Sequence, residues 1–301
     1  MALKDLPTEE CVLQGNAACP GCPATLGLRV VLKALGKKTI MVVPACCTAV
    51  IESLYPHTSL DIPVMNIAFE AAAAGASGVE AALRKQEKED INVLAWAGDG
   101  GTYDIGLQAL SGAIERGTNF IYVCYNNQIY SNTGIQRSGA TPISAWTTTT
   151  VAGKKEFRKE MGEIIRAHHP PYAAQASVSE PEDLYKKVEK AKRIKGPKYI
   201  EILSPCPPGW RFSMDKTVDM GKLAIETGAW SLWEYENDEI TFNGKSKLLL
   251  EEKIEPKPIE DWLKYQGRFK HLFVPKRDEQ MLKQIQDHTN SQWKRYRKEF
   301  L

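Results

Sequence analysis

Net charge is almost missing from this sequence. Its 39 basic and 37 acidic residues leave +2 over 301 residues, which offers no bulk field for nucleic acid. The opening MALKDLPTEE has no basic region followed by an apolar one, so no secretory signal is expected. No run approaches the roughly 18 uninterrupted apolar residues of a membrane span. The greasiest stretch, 39–51, is short and broken by Pro44. Internal repeats and low-complexity tracts are lacking. So are GxGxxG and GxxxxGK(S/T), which sets aside a nicotinamide or P-loop site. These absences lead us to expect a cytoplasmic protein whose cysteines are reduced thiols or metal ligands.

What is present is an ordinary globular composition, 43% hydrophobic and 25% charged, with seven cysteines. An odd cysteine count in a chain this long is no disulfide framework. Strand-like and helix-like runs alternate up to about residue 205. The expected helices are Pro23 to Leu35 (ending at Gly36), Ala68 to Gln86, Asp104 to Arg116, Phe157 to His168 and Glu182 to Lys195. The expected strands are Thr39 to Val43, Ile91 to Ala97, Asn119 to Tyr125 and Tyr199 to Leu203. Continuous apolar strands separated by helices imply an α/β fold with a mostly parallel, doubly wound sheet. In such sheets ligands sit beyond the carboxyl ends of the strands. Residues 128–153 are rich in Ser, Thr, Gly and Asn, and a loop that long is usually functional. After about 225 the periodicity weakens. We therefore divide the chain into a binding domain, 1–225, and a C-terminal arm, 226–301, packing on the core or on partner subunits. Residues 251–301 carry twelve Lys/Arg and nine Asp/Glu, a mixture that suits a solvated or subunit-contacting face.

Two constellations carry chemistry. Cys19-Pro-Gly-Cys22 is a CxxC turn able to grip one metal centre. An iron–sulfur cluster, a structural zinc and a redox dithiol are all open at this point. Cys46 and Cys47 follow a strand, and Cys206 lies in Ser-Pro-Cys-Pro-Pro-Gly-Trp. Cys11 and Cys124 stand apart. The second constellation is Gly98-Asp99-Gly100-Gly101, where a strand meets a helix. Glycines there let backbone approach a phosphate, and Asp99 is a hard oxygen ligand suited to Mg²⁺. Asn127 follows 28 residues later at the next strand end. Its side-chain oxygen and the Ile129 carbonyl would complete a set of three, leaving octahedral positions for two diphosphate oxygens.

Together these segments, with Gly15–Ala18 before the CxxC, Tyr130 to Ser138, Ala145 to Thr149, Pro207 to Trp210 and Gln266 to Phe269, resemble the β subunit of 2-oxoacid:ferredoxin oxidoreductases, most closely the pyruvate-acting members. The resemblance spans nearly the whole chain. It implies a thiamine diphosphate-binding sheet of the diphosphate-domain type. It further implies a 4Fe–4S cluster on Cys19, Cys22, Cys47 and Cys206, with Cys47 rather than Cys46 matching the third ligand. Gly98, Asp99, Gly100, Gly101, Asn127, Asn132 and Thr133 would bind thiamine diphosphate. Asp99, Asn127 and Ile129 would bind Mg²⁺, and Asn132 would face the substrate as the catalytic residue. The implied reaction is oxidative decarboxylation of pyruvate with CoA to acetyl-CoA and CO₂, the electrons passing to ferredoxin. The implied partners are an α subunit with γ- and δ-type subunits, separate or fused.

The departures from the family pattern, such as Cys-Pro-Gly-Cys-Pro at 19–23 and Asn126-Asn127-Gln128-Ile129, spare every proposed ligand but cluster near the pocket. The same chemistry on oxalate without CoA, or on a branched-chain 2-oxoacid, is the alternative. A non-catalytic iron–sulfur or zinc scaffold is a further one. The acid that activates the cofactor's aminopyrimidine is expected from a partner subunit, and Glu70 is read as a helix-terminal or interface residue. The chain alone is therefore expected to lack turnover.

Overall fold

The computed structural model describes residues 3–53 and 56–301. Helix α1 (Pro23–Leu35) starts with proline at its first turn, where a missing N–H costs nothing, and stops at Gly36 with φ +77°. Then come β1 (Thr39–Pro44), the short α2 (Cys47–Ile51), β2 (Val64–Ile67), α3 (Ala72–Lys85) and β3 (Asn92–Gly98). A π-helical turn, Gly100–Ile105, leads into α4 (Leu107–Glu115). Next are β4 (Ile121–Asn126), α5 (Met161–Arg166), β5 (Tyr172–Ser177), α6 (Pro181–Arg193) and β6 (Lys198–Leu203). The remainder is α7 (Pro207–Trp210), α8 (Thr217–Glu226), β7 (Trp233–Glu236), β8 (Glu239–Phe242), α9 (Gly244–Leu250), α10 (Ile259–Leu263) and α11 (Glu279–Phe300).

The strands form one eight-stranded sheet in the order β2-β1-β3-β4-β6-β5-β7-β8. The first six are parallel, and β7 and β8 are antiparallel additions. Successive side chains of a strand face opposite ways. Met41 and Val43 thus join one core with Leu28 and Leu32 of α1 and Val188 of α6, while Val42 joins another with Ala76 of α3 and Leu110 of α4. This is the doubly wound α/β sheet expected. A third apolar cluster, with Trp210, Trp230, Trp262 and Phe269, packs residues of the tail against the 128–153 segment.

Several expected elements differ. The helix expected from Ala68 begins at Ala72, because Ala68–Ala71 forms a turn that sets Phe69 edge-on to Tyr130. The helix expected from Phe157 is reduced to Met161–Arg166, since Phe157 stacks on His288, Arg158 lies over Trp230 and Lys159 pairs with Asp104. The residues after 226 add β7 and β8 to the sheet edge, and Trp293 of α11 enters the α3–α4 core. The parallel neighbours β1 and β3 lead to β2 and β4 on opposite sides, and this reversal of strand order leaves a crevice at their carboxyl ends, the place where such sheets bind ligands.

Candidate active site

Four strand ends supply the site. Ala45 to Cys47 follow β1, Gly98 ends β3 with Asp99 to Gly101 after it, Asn127 follows β4 and Cys206 follows β6. Parallel pairing sets Gly98 against Tyr125 and Asn126 against Leu203, so these ends finish level.

One cavity of about 210 Å³ is lined by Gly98, Asp99, Gly100, Gly101, Asn127, Ile129, Asn132 and Thr133, every residue expected to bind diphosphate or Mg²⁺. Phe69, Tyr130, Cys46 and Cys47 also line it. Gly100 is required sterically, because a Cβ there would stand 2.1 Å from the Tyr130 ring. Tyr130 is held by its hydroxyl, which donates to Asp104 Oδ2 at 2.7 Å. Asp104 also accepts from the Gly139 N–H at 2.9 Å and from Lys159 Nζ.

Asp99 is completely buried. Its Oδ1 accepts from the Asn127 N–H at 3.2 Å and its Oδ2 from Ser138 Oγ at 2.5 Å. Burial outweighs these donors and pushes its pKa up to about 7. Desolvation disfavours a carboxylate that no cation accompanies. Asn127 turns its side-chain oxygen to the Ile129 N–H at 3.2 Å and its amide to Ser131 Oγ at 3.0 Å. Between them Gln128 adopts φ +65°.

A second cavity, of about 400 Å³, is lined by Cys19, Cys22, Cys47 and Cys206 together. The CxxC turn closes with the Cys22 N–H donating to the Cys19 carbonyl at 3.0 Å. Gly21 sits at φ +71°, where a Cβ would meet the Met214 carbonyl at 2.1 Å. Cys46 lines the first cavity and not the second. Burial pushes the Cys47 thiol up to about 11 and Cys206 to about 12. Among the described residues, no group of three or more His, Cys, Asp or Glu could hold a single metal ion.

Cys47, Tyr125, Asn127, Ser131 and Asn132 line both cavities. Ser131 is the hinge of this shared wall. Its hydroxyl lies 3.0 Å from the Cys47 sulfur and accepts from the Asn127 amide at 3.0 Å. In the sequence Ser131 reads only as a polar residue compatible with oxalate, and no site role attaches to Tyr130, Ser138 or Asp104. The serines and the tyrosine lie in the 128–153 loop, whose composition marked it as functional without indicating which residue did what. Glu70 is exposed, in the turn before α3.

A carboxylate among glycines at a sheet switch point, with an amide just beyond the neighbouring strand and a hollow between them, is the arrangement of the thiamine diphosphate enzymes as a class. Residues 45–202 match the family model described as thiamine pyrophosphate enzyme, C-terminal TPP binding domain. The chain is 48% identical, over 97% of its length and 94% of the relative's, to the ketoisovalerate oxidoreductase subunit VorB of Pyrococcus abyssi. It is 48% identical, over 95% and 97%, to the pyruvate synthase subunit PorB of Methanothermobacter thermautotrophicus. A solved structure of 2-oxoglutarate:ferredoxin oxidoreductase from Magnetococcus marinus shares the fold, with TM-score 0.59 and 21% identity over 92% of this chain and 96% of that one. The chain belongs to the β-subunit family of the 2-oxoacid:ferredoxin oxidoreductases, and is an oxidoreductase subunit of a multi-subunit complex. Among the described residues, no helix is long and apolar enough to cross a membrane.

Proposed function

We propose that this subunit binds thiamine diphosphate, Mg²⁺ and a 4Fe–4S cluster, and that its complex oxidatively decarboxylates pyruvate with CoA, passing electrons to ferredoxin. The observation that carries this is the shared wall. A hollow with hard oxygen donors and a hollow with four thiols meet at Cys47, Ser131 and Asn127, and electron transfer favours such closeness. Asp99, Asn127 and the Ile129 carbonyl would hold Mg²⁺, with Gly98–Gly101 and Thr133 around the diphosphate. The four cysteines surround open space, which suits a polyatomic inorganic core better than one zinc ion bound at about 2.3 Å by every sulfur. When bound, thiamine diphosphate supplies the carbon nucleophile and electron sink, and the cluster one-electron acceptance.

The chain's own residues do the rest. Ser138 and the Asn127 N–H fix both Asp99 oxygens. Phe69 and Tyr130 form an apolar wall. Asn132, exposed where the cavities meet, would present its amide to the substrate. A branched 2-oxoacid is the second reading, supported by relatives of equal identity named for ketoisovalerate. The test is viologen reduction by the native complex with pyruvate, ketoisovalerate or oxalate, each with and without CoA. We expect reduction with pyruvate only when CoA is present. Faster turnover of ketoisovalerate would move the assignment to the branched acid. CoA-independent turnover of oxalate alone would overturn both.

A further inference from the structure

Ser131 has one proton to give, and its neighbours decide where it goes. The Ile129 N–H can only donate, and it meets Asn127 Oδ1 at 3.2 Å. That contact fixes which end of the Asn127 amide is oxygen. Asn127 Nδ2 therefore faces Ser131 and donates to its Oγ at 3.0 Å. With Oγ accepting on that side, the Ser131 proton is left for the Cys47 sulfur, 3.0 Å away. A metal-bound cysteine carries no proton. In the loaded site the hydroxyl is thus the donor and the sulfur the acceptor.

The donor is also held in place. Tyr130 exchanges backbone hydrogen bonds with Gln136, at 2.9 and 3.1 Å, and the Gly134 N–H donates to the Ser131 carbonyl at 3.2 Å. The Tyr130 hydroxyl is anchored on Asp104 at 2.7 Å. Ser131 is half-buried and lines the four-thiol cavity as well as the diphosphate one.

We infer that Ser131 is a positioning residue for electron transfer: its hydroxyl donates to the Cys47 sulfur and raises the midpoint potential of the centre held by Cys19, Cys22, Cys47 and Cys206. The inference rests on the cluster reading above. Hydrogen bonds to the sulfurs help set the potential of such a centre. Reduction places more negative charge on the sulfur ligands, and a hydrogen bond to a charged acceptor is the stronger one. The bond therefore favours the reduced form. The amide whose oxygen is offered to Mg²⁺ is the same amide that orients the hydroxyl, so one residue, Asn127, serves both hollows.

The test is a redox titration of the complete complex, purified without oxygen and followed by electron paramagnetic resonance at the signal that C47S loses. Wild type is compared with S131A, which removes the hydroxyl, and S131T, which keeps it. We expect S131A to retain its iron and sulfide and to move the midpoint more negative by about tenfold in the one-electron equilibrium, about 59 mV. S131T should stay near wild type. An unmoved midpoint in S131A, or an equal shift in S131T, overturns the inference. If S131A loses its cluster, electron–nuclear double resonance of the reduced wild type decides. A coupled proton that exchanges rapidly with D₂O is then expected, and its absence overturns the inference. Iron and sulfide content unchanged by C47S would remove the cluster reading and the inference with it, so metal analysis tells the two failures apart.

Discussion

Adjacent residues of identical chemistry part company here. Cys46 and Cys47 are neighbours in sequence, yet only Cys47 lines the four-thiol cavity, while burial and the Tyr125 hydroxyl govern Cys46. C47S should lose most of the iron and sulfide, and C46S should keep it, as read by metal analysis and visible absorbance. Asp99 makes a second prediction. Its folded pKa of about 7 lies above the ordinary value of 3.8, so between those values the folded chain holds a proton that the unfolded chain has released. Stability of the metal-free chain should therefore fall as pH rises from about 4 to 7, by roughly 1.4 kcal/mol per unit from this residue. Thermal melts should show this part of the slope removed by D99N and reduced by added Mg²⁺. Asp99, Asn127 and the cysteines were legible in the sequence because each sits in a short motif. Ser138 was legible only as part of a family-like run and not as a partner of Asp99, because that carboxylate lies 39 residues away, and no local spacing encodes such a pairing.

Elements position these groups through close backbone approach. Gly100 opens the π-helical turn under the Tyr130 ring. G100A should force Tyr130 from its Asp104 bond, at a cost of about 1–3 kcal/mol, and weaken thiamine diphosphate binding. Chemical denaturation and calorimetric titration check both effects. The apolar strands β1, β3, β4 and β6 were readable from their unbroken hydrophobic runs. Strand β5, Tyr172–Ser177, was not, because alanines and a buried glutamine give no strand signal. Gln175 is satisfied only tertiarily, by the Trp233 indole, Ser231 and Glu201. The hairpin β7–β8 differs, because Trp233-Glu-Tyr-Glu alternates apolar and polar residues ahead of an Asn237-Asp238 turn at positive φ, which is a local strand signal; what no local pattern gives is its place on the sheet, which follows from pairing with β5.

For the whole molecule, the parallel sheet brings the proposed site residues to one end. Every residue assigned to diphosphate, metal or thiol chemistry follows a strand's carboxyl end or lies in the CxxC turn and loop beside it. The amino ends of the strands are fed by ordinary turns, such as the exposed 86–90 stretch between α3 and β3. The chain should accept a short flexible insertion between Glu87 and Asp90 with unchanged metal content and melting temperature, while an equal insertion between Asn127 and Ser131 should abolish both cavities. Assembly with the partner subunits, followed by size-exclusion chromatography, would check the first variant in the native complex. The sheet thus has a chemically committed rim and a permissive one. An affinity handle or a fluorescent reporter belongs on the second, where it can be carried through turnover without touching the reaction.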